Sequence, residues 1–117
     1  MIVSGFEAFV QAVVDERQTQ LERWGDQQHP AGTGGSRYRQ DAAMHRSLCQ
    51  AHAAEGNVSW ADILLEEVYE ALAERDPEAL RRELVQVVAV GFAWIEDLDR
   101  AQSSSISVRR VGASTSG

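Results

Sequence analysis

The sequence predicts an all-α protein, in which a four-helix bundle-like domain over residues 4–100 is followed by a flexible Ser/Gly-rich tail over 101–117. The first observation is that apolar residues recur at helical spacing through most of the chain. The second is that turn-forming residues such as Asp76 and Pro77 separate these apolar runs. β-Branched residues between 84 and 95 are also compatible with a strand, but the helical periodicity on both sides favours a helix.

Length, charge and cysteine content limit the possible functions. The chain has 117 residues, 44% of them hydrophobic, which is enough for one domain with a modest core. Its net charge is −7, so we expect no binding to nucleic acid, whereas a small anion can bind if a metal ion supplies positive charge. Cys49 is the only cysteine, and the longest apolar run, 87–95, is too short to span a membrane. With no signal-peptide pattern at the N-terminus, these features predict a cytoplasmic protein.

The first helix is predicted to begin at residue 4 or 5 and to end at Trp24. Ser4 and Glu7 have the spacing of a capping box, and Gly25 is a typical helix stop. Arg17 projects from within the apolar stripe of this helix. Two interpretations are open: its stem packs on apolar surface with the charged head in water, or the guanidinium faces a phosphate.

The segment 26–36, DQQHPAGTGGS, has the composition of a loop. Its GTGGS sequence is reminiscent of a phosphate-binding loop, but it lacks the GK[ST] ending and no strand precedes it. We therefore expect a flexible connector, with a mobile lid as the alternative. The second helix is predicted over 38–55, before Gly56.

One face of the second helix collects residues that can bind metals. His45, Cys49 and His52 are spaced i, i+4 and i+7, and His29 in the preceding loop would complete a set of four zinc ligands. This spacing matches no established zinc motif, so chance is the favoured interpretation.

Acidic residues occupy unusual positions on the third and fourth helices. On a wheel of 100° per residue, Glu67 falls in the middle of the apolar stripe of the third helix, with Glu70 on its flank and Glu66 further round. Glu83 lies at the edge of the buried face of the fourth helix, and Gln86 follows one turn later. A core-facing carboxylate is unfavourable unless it is paired or binds a metal, and Mg²⁺ is the usual cation beside phosphates. The pattern predicts a magnesium site.

The same acidic residues have a second interpretation. The glutamates at 66, 70 and 74 form a row at i, i+4 spacing, which is typical of a solvated helix face. Simple ion pairs could also neutralise the core-facing acids. The candidate partners are Arg75, Arg81 and Arg82.

The third and fourth helices meet at a tight break. The third is predicted over 59–75, with a capping box at its start. Asp76 caps the fourth helix and Pro77 occupies its first position, where a missing N–H is harmless. The fourth helix continues to about Arg100, and its central part, 84–95, is apolar all round except for one glutamine. A chain this small cannot cover such a helix alone, so we expect a homodimer or homotetramer.

Three blocks of sequence occur in a distinctive order. They are ERQTQLERWGDQQHP at 16–30, SWADILLEEVYEALAERDP at 59–77 and RRELVQVVAVGFAWIEDLDR at 81–100. Together they resemble the all-α NTP pyrophosphohydrolase superfamily, in particular its MazG-like group, and the resemblance covers most of residues 4–100.

That superfamily is marked by an EExxE motif followed downstream by ExxD. Glu66, Glu67 and Glu70 match the first motif in full. Glu83 begins the second motif, but Gln86 stands where an aspartate is expected. An amide oxygen can still bind Mg²⁺ or one of its waters, but it brings no charge, so metal affinity should be lower.

The resemblance implies Mg²⁺-dependent cleavage of an NTP or dNTP between the α- and β-phosphates, giving a nucleoside monophosphate and pyrophosphate. In that scheme Glu67, Glu70 and Glu83 hold Mg²⁺, and Glu66 holds a second ion or orients the attacking water. Arg17 would neutralise charge that develops on the phosphate oxygens. There are two alternatives. One is a non-catalytic relative that binds nucleotide, in which the glutamine in place of the aspartate indicates lost chemistry. The other is a helical protein-interaction module.

Overall fold

The computed structural model describes the backbone of residues 4–116 and the side chains of residues 6–102. Over that backbone the chain forms four α-helices and no strand, so the predicted all-α class and number of helices are confirmed. The helices are α1 Ser4–Trp24, α2 Ser36–Ala54, α3 Trp60–Ala73 and α4 Pro77–Ser116. None of the helices within the described residues combines the length and the hydropathy needed to cross a bilayer.

The fourth helix is longer than the sequence predicts. We expected it to end near Arg100, whereas its helical backbone continues to Ser116. Serine and β-branched residues are less favourable than alanine in a helix by only about 0.5 kcal/mol each, so a helix that is already formed can extend through them. The flexibility predicted for the tail over 101–117 stays a prediction, and the side chains of 103–117 lie outside those that the structure describes.

The chain divides into two compact units, one of α1 with the part of α4 from Phe92 onward and the other spanning Gln27–Gly91. In the first unit Phe9 is buried, and its ring centroid lies 4.9 Å from that of Phe6 and 5.5 Å from that of Phe92. Farther along α1, Trp24 is exposed. The predicted apolar stripe of α1 is therefore buried mainly near the beginning of the helix.

In the second unit, α2 packs against α3. Their contacts occur in reverse order along the chain, because His52 bonds Asp62 while His45 stacks on Tyr69, so the two helices run antiparallel. The buried residues between these two helices are small, and small side chains allow the helix axes to approach closely. They are Ala42, Cys49 and Ala71.

The predicted caps of α3 and α4 are confirmed. The Asp62 backbone N–H donates to the Ser59 hydroxyl oxygen at 3.1 Å, and the Ser59 N–H donates to the Asp62 carboxylate at 3.0 Å, which completes the capping box. The Ala79 N–H donates to the Asp76 carboxylate at 3.0 Å, and Pro77 is the first residue of α4. These local bonds fix where α3 begins and where α4 leaves the turn.

The glycine-rich loop caps the opposite end of α3. The Gly34 N–H donates to the Leu72 carbonyl at 2.8 Å, and the Thr33 hydroxyl donates to the Glu74 carbonyl at 2.5 Å. In return, the Arg75 Nε–H donates to the Gly34 carbonyl at 2.8 Å. The last carbonyls of a helix have no partner within it, so the loop satisfies groups that would otherwise lack one. This part of the loop is a fixed cap, and not the flexible connector that its composition predicts.

Glycine is required at position 34 for two reasons. Its φ angle is +90°, a region that side-chain-bearing residues rarely adopt. A Cβ atom added there would also clash with Cγ of Arg75. The Gly34 carbonyl receives a second bond from Nη1 of Arg39 at 2.8 Å, so this one residue joins the loop, the start of α2 and the end of α3.

Candidate metal centre

Three of the predicted metal ligands lie together in the structure. Glu67 and Glu70 on α3 and Glu83 on α4 each provide a carboxylate oxygen, and these three oxygens lie within 4.8 Å of one another. All three residues are half-buried. No other group of three histidine, cysteine or acidic side chains is this close among the residues that the structure describes. We call Glu67, Glu70 and Glu83 the acidic triad.

The sequence places the acidic triad through simple helix geometry. Glu67 and Glu70 are one turn apart on α3 and therefore share a face. Glu83 lies in the second turn of α4, shortly after the cap formed by Asp76. All three residues belong to the unit Gln27–Gly91, which also contains α2.

The charges of the acidic triad disfavour one another. Burial is the main cause of a raised pKa at Glu67, and the negative charges of Glu70, Glu83 and Glu66 add to it. Burial also raises the pKa of Glu83, followed by the charges of Glu70 and Glu74. Both shifts mean that the folded protein destabilises these carboxylates in their charged form. A bound cation or a proton would relieve that unfavourable energy.

Glu66, the fourth predicted metal ligand, lies outside the acidic triad. It accepts a hydrogen bond from the thiol of Cys49 on α2, and this bond is the largest cause of a pKa of about 11 at Cys49. Its predicted role, to bind a second ion or to orient water, stays a prediction.

Gln86 is exposed on α4 and takes part in no side-chain hydrogen bond among the described residues. It lies one helical turn after Glu83 and remains available to a ligand. Its role as an uncharged metal ligand stays a prediction.

Arg17 makes its described contact within α1. Its side chain is exposed, and Nη1 donates to the amide oxygen of Gln20 at 2.7 Å. This contact agrees with the interpretation in which the charged head of Arg17 lies in water. The predicted contact of Arg17 with a phosphate stays a prediction.

The basic residue that contacts the acidic triad is one that the sequence did not indicate. Arg46 on α2 places Nε and Nη2 each at 3.3 Å from Oε1 of Glu70. Of the arginines expected as ion-pair partners, Arg75 bonds the Gly34 carbonyl instead. Arg82 lowers the pKa of Glu83 but only partly offsets the causes that raise it. Arg46 could have been predicted only by knowing which residues of α2 lie opposite Glu70 on α3. No local motif in the sequence encodes that register.

The histidines and cysteine of α2 have separate partners on α3. His45 stacks on Tyr69 with 4.6 Å between ring centroids and 4° between planes. The Cys49 thiol bonds Glu66, and Nδ1 of His52 lies 2.9 Å from the Asp62 carboxylate. This face of α2 therefore contributes to helix packing, which agrees with the favoured interpretation that the zinc-like spacing arose by chance.

Comparisons of the chain with protein-family models, with curated proteins and with solved structures gave no match.

Proposed function

We propose that this protein is a Mg²⁺-dependent nucleoside triphosphate pyrophosphohydrolase of the MazG-like type. The observation that carries the proposal is the convergence of the carboxylates of Glu67, Glu70 and Glu83 within 4.8 Å. These are the three acidic positions to which the family resemblance assigns Mg²⁺. The substrate would be an NTP or dNTP, and the products a nucleoside monophosphate and pyrophosphate.

A divalent cation fits this donor set better than ion pairs do. Hard cations such as Mg²⁺ prefer carboxylate oxygens. Two unit charges 4.8 Å apart repel by roughly 3 kcal/mol at an effective dielectric of 20, so the acidic triad is unfavourable without a counter-charge. Among the described residues Arg46 pairs with Glu70, and one guanidinium cannot balance three carboxylates. The raised pKa values of Glu67 and Glu83 support the same conclusion.

The reaction would transfer the α-phosphoryl group to water. Bound Mg²⁺ would supply charge neutralisation at the phosphates and would activate the attacking water. The acidic triad would fix the position of the phosphates beside that water. A bond forms between the water oxygen and the α-phosphorus, the bond to the bridging oxygen of the β-phosphate breaks, and pyrophosphate leaves with that oxygen. The proton that the water loses would pass to a neighbouring carboxylate or to solvent, and Glu66 is the residue predicted to orient that water or to hold a second ion.

A panel of NTPs and dNTPs with Mg²⁺ tests the proposal directly. Pyrophosphate release is measured together with chromatographic identification of the nucleoside monophosphate. Glu67→Gln should abolish release, whereas Glu22→Gln, which changes an exposed glutamate on α1, should leave it unchanged. The absence of pyrophosphate with every nucleotide would reject the enzymatic function.

A non-catalytic nucleotide-binding relative is the second candidate. The observation that favours it is Gln86, which places an uncharged, exposed amide where the family has an aspartate. In that case nucleotide with Mg²⁺ would raise the melting temperature without any turnover. If the enzyme is active but weakened by this substitution, Gln86→Asp should increase the rate at low Mg²⁺ concentration.

We also propose that the protein is a homo-oligomer that buries part of α4. Leu84, Val85 and Val88 are 48%, 52% and 52% exposed and lie within two turns of one another. Contiguous exposed apolar side chains are typical of surfaces that contact another chain. Light scattering coupled to size exclusion should give a dimer or tetramer, and Leu84→Ser together with Val88→Ser should shift it toward monomer. A monomeric wild type at micromolar concentration would contradict this proposal.

A further inference from the structure

Arg46 contacts the acidic triad in a way that is easily exchanged. Two of its three guanidinium nitrogens, Nε and Nη2, contact the same oxygen of Glu70, and each distance is 3.3 Å, which is long for a charge-assisted hydrogen bond. The Arg46 side chain is 51% exposed, whereas that of Glu70 is 23% exposed. A partly solvated pair with this geometry is weak and can open without disturbing buried groups.

The backbone around Arg46 is held independently of this ion pair. The adjacent His45 stacks on Tyr69, and Cys49, one turn later, is buried and bonds Glu66. These contacts keep α2 against α3 whether or not the Arg46 pair is formed. The Arg46 backbone therefore stays beside the acidic triad, while its guanidinium can exchange Glu70 for another anionic partner.

We propose that Arg46 is a phosphate-contacting residue of the site, which Glu70 holds until a divalent cation takes its place. This inference rests on the proposed function. A cation that binds Glu70 displaces the guanidinium, which then lies beside the phosphates that the cation has brought in. Its planar fork of N–H donors matches phosphate oxygens in geometry as well as in charge.

The charge balance of the site supports this role. Three carboxylates with one divalent cation leave one net negative charge, which would repel a triphosphate. The single positive charge of Arg46 cancels that remainder. For Arg17, where the family resemblance implies contact with phosphate, the structure describes a bond to Gln20 on its own helix.

Removal of the guanidinium should therefore act in opposite directions on cation and nucleotide. In Arg46→Gln, the competitor for Glu70 is lost, so Mn²⁺ should bind the nucleotide-free protein about two- to fivefold more tightly. The same variant loses a charged contact to phosphate, so its KM for the NTP should rise about tenfold or more. An ion pair with only a structural role would not produce opposite shifts.

The experiment has two arms and one matched control. Mn²⁺ alone is titrated into full-length wild type, Arg46→Gln and Arg46→Lys, and bound metal is followed by electron paramagnetic resonance. Steady-state kinetics with the best NTP are then measured at saturating Mg²⁺. Arg100→Gln removes a similar exposed pair, with Glu96 at 3.2 Å, and should change neither quantity. Arg46→Lys keeps the charge but not the fork, so its Mn²⁺ affinity should match wild type and its KM should be intermediate.

The outcomes distinguish a failure of the role of Arg46 from a failure of the proposed function. If wild type binds Mn²⁺ and hydrolyses NTP while Arg46→Gln changes neither Mn²⁺ affinity nor KM, the role of Arg46 is overturned and the proposed function stands. Weaker Mn²⁺ binding in Arg46→Gln also overturns it. If wild type neither binds Mn²⁺ nor hydrolyses any NTP, the metal site is overturned together with this inference. Should Arg46→Gln fail to fold, unchanged KM in Arg46→Lys would be the contradicting result.

Discussion

Acidic residues on α3 differ in whether their charges are balanced. Toward α2, the Asp62 carboxylate is balanced by hydrogen bonds with the His52 ring and the Ser59 N–H. Glu67 instead meets other carboxylates, and burial and like charges raise its pKa, while hydrogen bonds led by the Ser59 N–H lower that of Asp62. Balanced acids of this kind stabilise a fold, whereas unbalanced acids store an unfavourable energy that a ligand can release.

Glu70 belongs to both groups. It contributes an oxygen to the acidic triad and also accepts hydrogen bonds from Arg46. If the proposed cation binds, it would compete with Arg46 for Glu70, the residue that the two groups share.

The largest effect should follow from neutralising the unbalanced acid. Glu67→Gln should reduce turnover at least about 100-fold, which corresponds to roughly 2.7 kcal/mol in the activation barrier. The free energy of unfolding without metal should stay the same or increase, because the variant removes a destabilised charge. Kinetics and chemical denaturation measure the two quantities. A marked loss of stability would instead place Glu67 among the balanced, structural acids.

A smaller effect, on stability and not on turnover, should follow from removing the side-chain cap at the start of α3. Ser59→Ala removes the hydroxyl that accepts from the Asp62 N–H, so the free energy of unfolding should fall by about 1 kcal/mol. Turnover at a temperature well below the melting point should be unchanged. Denaturation curves and kinetics on the same preparation test this, and a large loss of turnover would show that the start of α3 also shapes the site.

The smallest effect should appear in the pH dependence of stability. Asp62 has a lowered pKa, so its contribution is present above its unfolded value of about 3.9 and is lost as pH falls through the folded value. Glu67 has a raised pKa, so the folded protein binds its proton more readily, and stability increases as pH falls from above that raised value toward about 4.3. In metal-free protein, Glu67→Gln should weaken the second trend, to which the raised pKa of Glu83 also contributes, and Asp62→Asn should remove the first. Denaturation at a series of pH values checks this, and identical profiles in all three proteins would contradict it.

Local patterns predicted the features that depend on neighbours in sequence. Helical periodicity gave the four helices, and the caps at Ser59 and Asp76 follow from residues three positions apart. The acidic triad was also predictable, because its members lie on two consecutive helices joined by a short turn. Its assignment to Mg²⁺ and to pyrophosphate chemistry stays a prediction.

Contacts between distant segments could not be predicted in this way. Arg46 and Glu70 are 24 positions apart, and the Thr33 hydroxyl bonds a carbonyl 41 positions away. Both depend on the register of α2 or the loop against α3, which no spacing rule specifies. The continuation of α4 to Ser116 was missed for another reason, since composition alone reads a serine-rich segment as a tail.

The anchoring of Gly34 has a consequence for engineering this protein. Residues 27–32 precede the anchored turn and are exposed, so a peptide tag or a new chain terminus should be accommodated there. An insertion between Thr33 and Gly35 would instead break the hydrogen bonds by which the loop caps the end of α3. A circular permutant opened after Thr33 should therefore be less stable than one opened before it, although the two cut sites are only a few residues apart.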